Sequence, residues 1–158
     1  MEASHRQLVA LADGPRVVYG IHTGCGPLCE YVVPAAAAGR FQANLVRSHA
    51  TGLGPPHPSP VARATMVARA ALLARGCSGV RPVVVERLVG LLNAGVHPLI
   101  PEIGSVGASG DLVELAHVAL ALMGEGDVEW RGRRVPAAQA LSAAGIARLV
   151  LEGKLLPK

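Results

Sequence analysis

Gly104-Ser105-Val106-Gly107-Ala108-Ser109-Gly110-Asp111-Leu112 decides how this chain is read. The Ala108-Ser109-Gly110 triplet at its centre has the residue types needed to build an electrophile from backbone. If the Gly110 amide nitrogen attacks the Ala108 carbonyl carbon, a five-membered ring closes through Ser109, and loss of water from Ser109 leaves an exocyclic methylidene. Gly110 has no Cβ to hinder its nitrogen or forbid the tight backbone this requires. Ala108 is small, and Ser109 supplies the hydroxyl that leaves. The same letters also describe any loop entering a helix, with Ser109 as N-cap and Asp111 and Glu114 favoured by the positive helix end. The surroundings decide between the two.

Downstream, Leu112, Leu115, Ala116, Ala119, Leu122 and Met123 recur at helical spacing, so the triplet sits at a helix N-terminus. Unpaired amides and the helix dipole there polarise a carbonyl as electrons flow into such a ring. Upstream, residues 95–107 read as loop, preceded by a helix over residues 82–93 with a Val85, Leu88, Val89, Leu92 stripe. Further helices are expected over residues 4–12, ended by Asp13-Gly14-Pro15, over 34–51, ended by Gly52-Leu53-Gly54-Pro55-Pro56, over 60–75 and over 136–144. Residues 20–27 form a glycine-rich loop, and 128–135 a short hairpin turning near Gly132.

The chain has 158 residues, 51% hydrophobic and 16% charged, enough for a folded domain with a real core. No apolar run approaches the roughly 20 residues that span a bilayer, and Met1-Glu2-Ala3-Ser4-His5-Arg6 lacks a hydrophobic signal core, so a cytoplasmic protein without membrane association is expected. The excess of 15 basic over 11 acidic residues is modest. Arg63, Arg69 and Arg75 are spread round their helix at about 100° per residue, and Arg131, Arg133 and Arg134 cluster on the hairpin, which argues against nucleic acid as partner. Cys25, Cys29 and Cys77 are odd in number and lack metal-type spacing, as expected of reduced thiols. Asn93, His97 and His117 could be mistaken for ligands, but no third suitable residue recurs at helix or strand spacing, so structural roles and no metal site are expected.

The stretch Leu92-Asn93-Ala94-Gly95-Val96-His97-Pro98 through Leu112 resembles the histidine and aromatic amino-acid ammonia-lyases, whose cofactor is 4-methylidene-imidazol-5-one (MIO). Tyr19-Gly20-Ile21-His22-Thr23-Gly24-Cys25-Gly26 resembles the tyrosine loop of that family. Asn44-Leu45-Val46-Arg47-Ser48-His49-Ala50-Thr51-Gly52 resembles its substrate-facing helix. The resemblance runs over residues 2–154. It implies a mainly α architecture, part of the aspartase/fumarase-like helical fold, with residues 1–158 as a single MIO-bearing domain that includes the short β-hairpin.

The resemblance also implies roles. MIO would form autocatalytically from Ala108, Ser109 and Gly110, with Asp111 supporting ring formation. Tyr19 would be the base that removes the β-proton. A free phenol has a pKa near about 10, so such a base needs dipolar or electrophilic help; the alternative is a Tyr packed at a loop entry. Ser48 and His49 look like the pair found in histidine ammonia-lyases, where the histidine helps hold the substrate side chain. The alternative for His49, which shares a face with Phe41 and Leu45, is a histidine satisfied by a neighbour. Pro101-Glu102-Ile103-Gly104 is closer to tyrosine aminomutases. Elimination of ammonia from histidine or another aromatic amino acid is the first expectation, and a 2,3-aminomutase the alternative.

Departures stand beside the likeness. His22 occupies a position that is usually small and polar, Cys25 one that is usually phenylalanine, and Val113-Glu114 replaces a common Ala-Pro. Family members are much longer, with a second tyrosine, a carboxylate-binding arginine and long central helices. The expectation is therefore one subunit of a split enzyme, completed by a second protein chain in a hetero-oligomer with shared active sites. A truncated product or a non-catalytic scaffold subunit is the alternative.

Overall fold

The computed structural model describes residues 1–105 and 112–151. Helices α1 (Glu2–Ala12), α2 (Ala38–His49), α3 (Ser59–Ala74), α4 (Pro82–Asn93), α5 (Leu112–Met123) and α6 (Ala137–Ala143) carry it. Five short strands are threaded between them: β1 (Leu53–Pro56), β2 (Val96–Pro98), β3 (Pro101–Ile103), β4 (Asp127–Trp130) and β5 (Arg133–Pro136). The architecture is mainly α, as expected.

The core lies between α3, α4, α5 and α6 and one face of a three-stranded antiparallel sheet in the order β2-β4-β5. Helix α3 starts with Pro60 in its first turn, where a missing N–H costs nothing. It buries Ala62, Met66, Ala70 and Leu73, a stripe at three- and four-residue spacing. Met66, Leu88, Leu91, Val96, Ile100, Val128 and Leu141 are each sealed almost completely from water, and burying a side chain of this size stabilises by about 1.5–3 kcal/mol.

Two expected stripes are corrected. In α4 the buried residues are Leu88, Leu91 and Leu92, while Val89 is 40% exposed. In α5 they are Ala116, Val118, Ala121 and Leu122, and Leu112 is exposed. Both helices are apolar on most sides, so periodicity places the helix without fixing which side meets the core. Helix α2 is also shorter than expected: a 3-10 turn over Ala35–Ala37 precedes it, and the backbone leaves helical geometry at Ala50.

The expected loop over residues 95–107 contains strands β2 and β3. Strand β2 pairs with β4 in the register Val96↔Trp130, His97↔Glu129, Pro98↔Val128. Strand β3 pairs irregularly with β1 through Leu53↔Ile103 and Pro56↔Pro101. Prolines remove ladder donors and hide such strands from local reading; only a distant partner makes them strands. The hairpin β4–β5 does turn where expected, at Arg131 and Gly132, both with positive φ (54° and 70°), as a two-residue turn requires. The Arg131 guanidinium lies 4.4 Å from the Trp130 ring centroid, a cation–π contact that offsets the strained residue's cost.

Helix α1 stands apart, with no buried residue. It is fastened at the turn before α4: the Gly79 N–H donates to Ser4 Oγ (2.9 Å), and His5 Nδ1 donates to the Gly79 carbonyl (3.0 Å).

Candidate active site

Residues 17–33 fold back on themselves beyond the end of α1. The Gly24 N–H donates to the Tyr31 carbonyl (3.0 Å) and the Val33 N–H to the His22 carbonyl (2.8 Å), with Thr23 bridged to Val32. Thr23 is buried; its Oγ1 accepts from the Gly20 N–H (3.2 Å) and donates to the Gly24 carbonyl (2.9 Å). A Cβ on Gly24 would lie 2.5 Å from Leu28 Cβ and from the Leu28 carbonyl oxygen, so only glycine fits. Gly26, at φ 56°, opens a short 3-10 turn, Gly26–Leu28.

That turn reaches Tyr19. The Gly26 N–H donates to Tyr19 Oη at 3.0 Å, while the phenol remains 63% exposed. A backbone donor there stabilises charge that develops on the oxygen when the phenol gives up a proton. Tyr19 is thus not packed into a core at the loop entry; it is held by one donor and faces solvent.

His22 is tied down at both ring nitrogens. Nδ1 accepts from the Val18 N–H (3.1 Å), and Nε2 donates to the Ala12 carbonyl (2.8 Å) at the end of α1. Cys25, three residues on, is half-buried with a free thiol.

Ser48 and His49 occupy the last turn of α2, which packs on α5. Ser48 Oγ donates to the Leu45 carbonyl (2.9 Å), and His49 Nδ1 donates to the same oxygen (2.8 Å) while standing 3.2 Å from Ser48 Oγ. A carbonyl only accepts, so Nδ1 carries the proton, and the neutral ring keeps its lone pair at Nε2. His49 is satisfied by a neighbour at Nδ1, and its Nε2 has no hydrogen-bond partner among the described residues. No hydrogen bond joins Tyr19 to Ser48 or His49 among the described residues.

Ala108, Ser109, Gly110 and Asp111 lie outside the described residues. Their flanks do not. Ser105, just past β3, donates its hydroxyl to Glu114 in the first turn of α5. Gly104 packs so closely on Val113 that a Cβ there would lie 2.6 Å from Val113 Cγ1. Val113 and Glu114, the departures from the common Ala-Pro, are therefore the residues that fasten α5 to the end of β3. Glu114 also lines, with Thr65, Ala68, Arg69, Leu72 and Leu115, a largely apolar groove of about 490 Å³.

Helix α2 is bound to the far end of α5 by Arg47, whose Nε and Nη2 donate to Glu125 Oε2 (2.9 Å) and Oε1 (2.7 Å). This fork raises the Arg47 pKa and holds the Glu125 carboxyl below its ordinary value. Sequence reasoning missed this pair, as it missed Thr23 and the Ser105–Glu114 bond. His97 and His117 each bury an Nε2 without a partner among the described residues, and burial lowers both pKa values. Arg63 lowers that of His97 further; Glu129 and Glu114 oppose the shifts at His97 and His117 respectively.

Residues 1–154 match the family model described as aromatic amino acid lyase. The chain belongs to that family. It is 51% identical over 154 residues to a histidine ammonia-lyase of Geobacillus sp. (strain WCH70), an alignment covering 98% of this chain and 30% of that enzyme. Among solved structures, this lyase-family chain is similar to the phenylalanine aminomutase of Pantoea agglomerans, with TM-score 0.90 and 37% identity, over 96% of this chain and 29% of the other. It is likewise similar to the tyrosine aminomutase of Streptomyces globisporus, with TM-score 0.86 and 42% identity, over 96% and 28%. The chain spans about 30% of the length of the curated relatives it matches. The fold is that of the corresponding portion of ammonia-lyases and aminomutases. Among the described residues no helix is long and apolar enough to cross a membrane, and no group of three or more His, Cys, Asp or Glu side chains forms a metal cluster.

Proposed function

We propose that this chain is the MIO-bearing part of an ammonia-lyase that eliminates ammonia from histidine or another aromatic amino acid. The observation that carries the reading is 51% identity across 154 residues to a histidine ammonia-lyase. The donor set fits the cofactor: Ala108, Ser109 and Gly110 are the residue types the ring requires, and Ser105 and Glu114 restrain its flanks. The ring, once closed, supplies an electrophilic methylidene carbon for the substrate's amino group.

The chain's own residues do the rest. Tyr19, with the Gly26 N–H aimed at its oxygen, takes the β-proton. His49, its Nδ1 committed to Leu45, offers Nε2 to the substrate side chain, and Ser48 Oγ lies beside that ring. Asp111 adjoins the triplet and assists its closure. As that proton leaves, its C–H electron pair becomes the Cα–Cβ double bond, the C–N bond breaks with its pair on nitrogen, and the nitrogen, reprotonated, departs as ammonia from an α,β-unsaturated acid. Retention of the amine and its return to the β-carbon gives a 2,3-aminomutase, a reading supported by the likeness to the phenylalanine and tyrosine aminomutases.

We extend the reading to an assembly in which a second protein chain supplies the helices found in the longer relatives, with sites shared between chains in the cytoplasm. Purification with natural partners, intact-mass analysis and assay of the assembly test both parts. A mass lower by two waters, ring absorbance in the near ultraviolet and release of unsaturated acid are expected, with Tyr19→Phe lowering turnover about 100-fold or more. An unmodified triplet in the complete assembly overturns the catalytic reading in favour of a scaffold.

A further inference from the structure

Tyr19 is held in place by very little of its own: one hydrogen bond, from Gly26, and an otherwise exposed ring. What fixes the backbone leading into it is an imidazole. The His22 ring receives the Val18 N–H at Nδ1, and Val18 is the residue directly before Tyr19. Its Nε2–H grips the Ala12 carbonyl at the end of α1. The His22 N–H donates back to the Val18 carbonyl (2.9 Å), so Val18 is bound at both its amide and its carbonyl by one residue. The His22 carbonyl in turn receives the Val33 N–H from the returning segment.

Accepting at Nδ1 while donating at Nε2 demands one form of the ring, neutral with the proton on Nε2. No small polar side chain makes both bonds, since the two acceptor and donor sites lie on opposite edges of the ring. We infer that His22 is the positioning residue for Tyr19, acting through the Val18 amide to set where the phenol stands relative to the Gly26 N–H. The inference rests, for its catalytic consequence, on the reading of Tyr19 as the base.

Two near-isosteres separate this role from that of a plain staple between loop and helix. An asparagine amide reaches about as far as Nδ1 and retains an acceptor for Val18; a glutamine amide reaches about as far as Nε2 and retains a donor for Ala12. The probe is the Gly26 amide in a proton–nitrogen NMR spectrum of the full chain, calibrated by Tyr19→Phe, which removes its acceptor. In His22→Asn the Gly26 signal is expected to stay near its wild-type position. In His22→Gln it is expected to move most of the way to the Tyr19→Phe position, with amide exchange about 10-fold faster, the effect of losing one hydrogen bond. In the assembled enzyme the same Gln variant is expected to lower kcat about 10-fold with KM unchanged.

The reverse order of the two variants, equal displacement in both, or no displacement in either overturns the assignment. Amides of Val96 and Val128 report whether the core of each variant is folded. If a variant does not fold, nitrogen shifts of the His22 ring in the wild-type chain decide instead: a proton on Nδ1 overturns it, and an unprotonated Nδ1 with a proton on Nε2 upholds it. Unchanged turnover in Tyr19→Phe removes Tyr19 from the chemistry, while the Gly26 signal still reports whether His22 sets its place.

Discussion

Residues 17–33 and the α3–α4–β2–β4 core are built on opposite principles. The core is held by apolar burial: Met66, Leu91, Val96 and Val128 are sealed from water and packed on one another. The loop leaves Val17, Tyr19, Leu28, Tyr31 and Val32 exposed, and buries Thr23. Its shape comes from hydrogen bonds to backbone, through Thr23, His22 and the Tyr31 and Val33 pairings. Each such bond contributes only about 0.5–1.5 kcal/mol, so the loop is shaped without being strongly stabilised. A rigid scaffold carrying a cheaply deformed loop is a common division of labour at functional sites.

The comparison breaks first at the core. Met66→Ala is expected to cost about 2–5 kcal/mol in urea unfolding, whereas Val32→Ala, at a residue 64% exposed, stays within about 0.5 kcal/mol. Equal costs would mean that the loop is as deeply packed as the core. Next comes Gly24→Ala. The 2.5 Å approach to Leu28 forces the loop to rearrange, so amides of residues 20–33 should exchange faster, by about 10-fold or more, while those of α3 and α4 are unchanged. Spread of that change into α4 would show the two regions to be one cooperative unit.

Acid sharpens the contrast from the core side. Burial lowers the pKa of His97 and His117 from the ordinary 6.5, so below that value the unfolded chain binds more protons than the native one. Stability therefore falls as pH drops below 6.5 and continues to fall until the depressed native values are passed. Urea midpoints measured through this window should flatten in His117→Asn. The smallest effect belongs to the exposed Arg47–Glu125 fork. The Glu125 carboxyl sits below its ordinary 4.5, so its contribution is present above that value and lost as pH falls through the lower native one. Glu125→Gln should remove only that shallow acid-side slope.

Local signals carried most of the fold. Pro60 and Pro82 open helices α3 and α4, and Arg131-Gly132 makes the hairpin turn. These depend on neighbours in the chain, and the sequence displays neighbours. Strands β1, β2 and β3 were illegible because their prolines deny them local character and their partners lie far away, as Val96 and Trp130 do. The site divides in the same way. Tyr19, Ser48 and His49 stand out within motifs; the structure places Ser48 and His49 in the last turn of α2 and Tyr19 in a turn before the Gly26–Leu28 segment. The work of His22 depends on Ala12, ten residues back, and that of Glu114 on Ser105, nine residues back; neither spacing belongs to a helix or a strand period.

The bond between Ser105 and Glu114 has a consequence for order in time. It spans β3 and α5, so it exists only after those elements have docked. A probe of that hydroxyl–carboxylate contact therefore reports the arrival of β3 at α5, and not the formation of either element alone.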